Sequence, residues 1–179
     1  GDTCRRIGLW DDARGYYRHM LRQTGSPAGH VQALHAWGAL ADLELRRGRL
    51  RGAAGYWRQA LERFESPELW GGYELPAVGW VHIRQGEIFY EWNDLRAAAD
   101  ACDRGRERAE LGGDPRAIIA SGLLSARLHL ARGDADAAEA DLERIRDVAA
   151  ETQFPDMQAE LERRQVEIWL AQGRLRAAV

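Results

Sequence analysis

Five histidines, two cysteines and several close-set carboxylates are the side chains of this sequence that could hold a metal ion or move protons. Their spacing does not bring them together. His19, His30, His35, His82 and His129 are scattered, and His30 and His35, five positions apart, fall on different faces of a helix. Cys4 and Cys102 have no metal-ligand spacing and read as reduced, semi-buried thiols, in keeping with a cytoplasmic protein. The sequence holds no GxxxxGK(S/T) phosphate loop, no GxSxG elbow, no HExxH and no CxxC. Asp134 with Asp136, and Glu139 with Asp141, alternate with arginine at helical spacing. They read as a solvated outer face and not as an acid–base pair. The expectation is a chain that is not an enzyme and carries no metal and no cofactor.

The elements that must position any binding surface are clearer. Arg84 to Asp100, RQGEIFYEWNDLRAAAD, reads as the end of one helix, a corner at Asn93 and the start of a second helix. The same corner recurs in RRGRLRGAA (46–54), ARGDADAA (131–138) and AQGRLRAA (171–178), with a weaker copy in RIGLWDDA (6–13). From Gly8 to Gly48 is 40 residues, from Gly48 to Asn93 45, from Asn93 to Gly133 40, and from Gly133 to Gly173 40. A fixed period near 40 with a helix–corner–helix unit predicts an all-α, right-handed α-solenoid of antiparallel helix pairs.

Each corner needs a residue that tolerates positive φ, which glycine and, less freely, asparagine supply. Five positions past each corner stands alanine: Ala13, Ala53, Ala98, Ala138 and Ala178. Ala41, Gly86 and Ala126, seven positions before their corners, keep the opposing wall small, so the two helices of a pair can approach closely. The pattern predicts helices over 10–24, 31–47, 50–64, 77–92, 95–111, 115–132, 135–151 and 155–172. Asp114 should cap a helix that opens on Pro115. Val31, Leu34, Trp37, Ala41 and Leu45 form the expected stripe of the second of these helices, and Ala13, Tyr16, Tyr17, Met20 and Leu21 that of the first. Trp10, Trp37, Trp57, Trp92 and Trp169 read as packing. Trp70 lies in the long connection 65–76 as a lid or as loop packing.

Composition narrows the function classes. The net charge is −3, against a nucleic-acid surface, and no stretch is apolar enough for a membrane span. All 25 basic residues are arginine, which reads first as a high-GC coding sequence and second as a use of arginine's planar forks.

GWVHIRQGEIFYEWNDLRAAADACDRGRERAE (79–110) resembles the superhelical tetratricopeptide-like repeat domain of MalT-like, LuxR-type, ATP-dependent transcriptional regulators. Tyr90 to Leu95 is its most specific piece. SARLHLARGDADAAEADLERI (125–145) and IWLAQGRLRAA (168–178) resemble the repeats that follow. The resemblance implies a sensor module, 1–179 as a single repeat domain and a piece of a longer regulator with a switch ATPase before it and a helix-turn-helix after it. It implies binding of a small-molecule effector or a regulatory protein. The acidic charge, the missing motifs and the lack of a long apolar stretch lead to the expectation of no nucleic acid and no membrane bound by this part, and apolar faces at the cut ends of the array to that of self-association. The competing expectation is a generic tetratricopeptide scaffold that binds a peptide or protein partner.

In such an array the first helices of the pairs line the concave side. Residues there that point away from the paired helix are His35, Asp42 and Arg46; Trp80, Glu87, Tyr90 and Glu91; Arg127; and Arg163 with Glu167. Flat aromatic rings beside charged heads suit a polar ligand such as a sugar or a peptide. Trp80, Glu87 and Tyr90, facing Arg127, form the densest expected cluster.

Overall fold

Asn93 sits at φ 60° and Gly133 at φ 79°, and at both places one helix stops and the next begins within two residues. The stop is the same in each case. Asn93 N donates to Tyr90 O and Asp94 N to Phe89 O; Gly133 N donates to Leu130 O and Asp134 N to His129 O. These paired bonds satisfy the last carbonyls of the finished helix and require the left-handed turn residue. The start is side-chain driven. Asp94 accepts from Ala97 N at 3.1 Å and Asp134 from Ala137 N at 3.0 Å, each filling an orphan donor of the new helix. Gly48 and Gly173, at φ 70° and 73°, make the corresponding turns.

The computed structural model describes residues 10–22, 27–65, 76–152 and 154–174. Its contacts divide the chain into two units, Gly1–Tyr73 and Glu74–Val179, each described by itself. Every regular element among the described residues is a helix. The first unit holds α1 (Trp10–Met20), α2 (Pro27–Arg46) and α3 (Leu50–Phe64). The second holds α4 (Val78–Glu91), α5 (Leu95–Gly112), α6 (Pro115–Ala131), α7 (Ala135–Glu151) and α8 (Pro155–Ala171). The chain is an all-α array of helix pairs. The expected features at Gly8, Trp70, Cys4 and Ala178 lie outside the described residues.

In the second unit α4 pairs with α5 and α6 with α7, with α5 against α6 and α7 against α8. Small residues set the distances. Ala98, Ala126 and Ala138 are fully buried, and Gly86 faces Leu124 and the backbone of Ala98. Two glycines, Gly79 of α4 and Gly105 of α5, also face each other closely. A Cβ on Gly105 would stand 2.9 Å from Gly79 O and 2.5 Å from Ile83 Cγ1. Asp114 caps α6 as expected, accepting from Arg116 N and Ala117 N, with Pro115 in the first turn.

The expected single stripe holds for second helices and fails for first helices. In α7, Ala138, Asp141, Leu142, Ile145 and Ala149 follow the three- and four-residue steps of one face. In α6 the buried residues run almost without break from Ala117 to Leu128, because α6 packs on α4, α5, α7 and α8 together. The stripe expected of α2 is corrected too, because α2 packs on both α1 and α3. Leu34, Trp37 and Leu45 are only partly buried, while Ala33, Ala36, Leu40 and Leu43 are buried with Ala41. That helix also starts earlier than Val31, at Pro27, whose missing N–H costs nothing in a first turn.

In the first unit Ala13 and Tyr17 of α1 pack against Ala36, Leu40 and Leu43 of α2. Tyr16, expected in the same stripe, is 53% exposed. Trp57 and Phe64 of α3 are buried, and Trp37 meets Phe64 edge to face at 5.6 Å. Trp92, expected to pack, is instead exposed beside the corner, where Phe89 touches its ring.

Candidate functional site

In the second unit the first helices pack directly on one another, α4 on α6 and α6 on α8. The second helices α5 and α7 make no comparable contact among the described residues. Close first helices and spread second helices put the inner wall of this unit on α4, α6 and α8.

Two rungs of side chains cross that wall. At one end Arg127 of α6 reaches α4. Its guanidinium lies 4.0 Å from the centroid of the Tyr90 ring, and Nη2 donates to Glu91 Oε1 at 2.7 Å. The Arg127 side chain is 19% exposed and its Nε is buried without a hydrogen-bond partner. At the other end Arg116 of α6 stands over two rings, Trp80 of α4 at 5.9 Å and Phe154, just before α8, at 5.2 Å, and pairs with Asp156 at 2.9 Å. A guanidinium over an aromatic face is attracted by the ring quadrupole.

The expected cluster therefore assembles with different partners. Tyr90, Glu91 and Arg127 come together. Glu87 instead pairs with Arg84, one turn away on its own helix, and Arg84 also lies over Trp80. On α8, Arg163 bonds Glu160 and Glu167, and Arg164 bonds the same two carboxylates. Burial raises the Glu160 carboxyl, but hydrogen bonds from Arg163 and the charge of Arg164 outweigh it, so Glu160 lies below the usual range. His35, Asp42 and Arg46 belong to α2 in the other unit. His35 and Arg46 are exposed, Asp42 is partly buried, and the His35 ring meets Tyr17 edge to face.

A second concavity was not legible beforehand. A pocket of about 370 Å³ lies between the second helices α5 and α7, backed by α6. It is lined by Arg106, Arg132, Arg144, His129, Asp103 and Asp141, with Cys102 at its edge. Asp141, expected on a solvated face, is 3% exposed. Its Oδ1 takes Arg144 at 2.9 Å, while Oδ2 has no hydrogen bond and stands 3.6 Å from His129 Nε2. Cys102, expected semi-buried, is fully buried and bonds Ser121 O. Burial pushes its thiol up to about 12, so it is no nucleophile at neutral pH. Among the described residues no group of three or more His, Cys, Asp or Glu could hold a metal ion, and no helix is long and apolar enough to cross a membrane.

A family model described as the MalT-like TPR region matches residues 11–179. The chain belongs to the MalT-like TPR region family. No curated protein matches it. Among solved structures this MalT-like region is similar to BtubC (BKLC) from P. vanneervenii, with a TM-score of 0.76 at 18% identity, over 99% of this chain and 72% of that one. At that identity the likeness is one of fold.

Proposed function

We propose that this MalT-like repeat region is the sensor module of a LuxR-type, ATP-dependent transcriptional regulator. It binds a small polar effector or a segment of a regulatory protein on the wall formed by α4, α6 and α8. It does no chemistry and needs no cofactor. The observation that carries this reading is the Tyr90–Glu91–Arg127 rung, which ties two successive repeats through polar and aromatic side chains at the inner surface. A ligand that bridges these groups would bias how one repeat sits on the next, which is what a sensor has to do. The acidic balance of the chain supports a role without direct DNA contact.

The test is made in the full-length protein. Arg127→Ala and Glu87→Ala are titrated separately with an effector that activates the intact regulator. The reading expects Arg127→Ala to weaken the response with helicity intact. A full-length sequence without a phosphate loop and a helix-turn-helix around this region would remove the regulator assignment. Salt-dependent, sub-micromolar retention of the 179-residue chain on promoter DNA would remove the division of labour.

A further inference from the structure

We infer that the pocket between α5 and α7 is an anion site for the phosphate group of a small molecule, separate from the inner wall. Three guanidiniums and an imidazole line it against two carboxylates. The described residues use each guanidinium sparingly. Arg106 Nη2 takes Asp103 at 2.6 Å, Arg144 Nη2 takes Asp141 at 2.9 Å, and Arg132 Nη2 takes a carbonyl, Leu95 O, at 3.3 Å. A guanidinium carries five N–H donors, so most of the donor capacity of all three is left for an acceptor in the pocket. Arg132 brings a positive charge that no carboxylate in the pocket offsets.

Asp141 is what holds the arrangement. It is a positioning residue at the floor, nearly inaccessible, with Arg144 on one oxygen and His129 beside the other. It holds Arg144 at 2.9 Å with His129 beside it, and Arg106 from α5 and Arg132 at the end of α6 complete the basic lining. A phosphate, with its spread negative charge and several acceptor oxygens, matches such a set better than a single carboxylate does. The volume of about 370 Å³ leaves room for a small polar body attached to the phosphate.

The experiment is calorimetric titration of the 179-residue chain at low salt with glycerol 3-phosphate, inorganic phosphate and glycerol. We expect saturable sub-millimolar binding of glycerol 3-phosphate and none of glycerol. Arg132→Gln should weaken binding at least tenfold, Arg106→Gln should weaken it too, and Arg58→Gln, exposed on α3 in the first unit, should leave it unchanged. Tighter binding of the ester than of inorganic phosphate assigns an organic phosphate, and equal binding assigns the free ion; both support the site. Absence of saturation at 10 mM, equal loss in Arg58→Gln, or unchanged binding in Arg132→Gln with native helicity overturns it.

Discussion

Arg127 lies with its guanidinium 4.0 Å from the centroid of the Tyr90 ring, so a cation on one repeat rests on an aromatic face of the repeat before it. The contact is mostly shielded from water on the arginine side, while its carboxylate neighbour Glu91 is half exposed. The ring contact should therefore contribute more than the ion pair, which solvent screens. We expect Arg127→Met to cost about 1–2 kcal/mol in urea unfolding. A double-mutant cycle with Tyr90→Leu should show a coupling of about 0.5–1 kcal/mol, and one with Glu91→Gln a smaller one. A larger coupling to Glu91 would reverse the ranking.

Close helix crossing gives the second prediction. Gly105→Ala places a methyl against Gly79 O and the Ile83 backbone, neither of which can swing aside. The gain from replacing a helical glycine is about 1 kcal/mol, and the overpacking should exceed it. Ala98→Leu, at a fully buried position, should cost about 1–3 kcal/mol. Gly55→Ala, where a Cβ meets nothing within 4 Å, should stabilise. Thermal unfolding of the three variants checks the order.

Asn93 holds positive φ without being glycine. Asn93→Gly should be neutral or slightly stabilising, and Asn93→Ala should cost about 1 kcal/mol, because alanine carries the Cβ penalty without a compensating polar side chain. Equal midpoints for the two variants would show that the corner does not depend on its backbone angle.

Cys102 links stability to alkaline pH. Its thiol is raised from 9.0 to about 12 by burial, so folding favours the protonated form. The contribution is complete below pH 9, where the unfolded thiol is also protonated, and is lost as pH rises from 9 towards 12. Cys102→Ala should flatten that fall in stability. In the native protein Cys102 should resist alkylation at pH 8 and react once the chain is unfolded; rapid native labelling would contradict its burial.

The corners were legible in the sequence because they are backbone requirements. Only Gly or Asn serves cheaply at positive φ, and Asp114 was legible as a cap, whereas the caps at Asp94 and Asp134 come from the structure. The small residues at Ala98 and Gly86 were legible because the repeat placed them in register. Burial around a first helix was not, because it depends on how many neighbours surround it, which one helix's periodicity does not record. Asp141, on the second helix α7, was missed for another reason: it falls on that helix's buried stripe, but its charge reads as belonging to the solvated face. Its neighbours Glu143, Arg144 and Asp147 are exposed, and only the packing of α7 on α6 puts its carboxylate inside. The partner of Arg127 was missed for a local reason. Arg84, three positions before Glu87, takes that carboxylate first and leaves Glu91 to reach across.

The measurement closest to the central claim is the affinity of the proposed effector for the protein carrying Arg127→Ala, compared with Glu87→Ala and with the unaltered protein. The inner-wall reading predicts at least a tenfold loss in Arg127→Ala, a smaller loss in Glu87→Ala, whose carboxylate is already engaged by Arg84, and unchanged helicity in both. Unchanged affinity in both variants, with the helices intact, would contradict it and leave the Tyr90–Arg127 rung as scaffold alone.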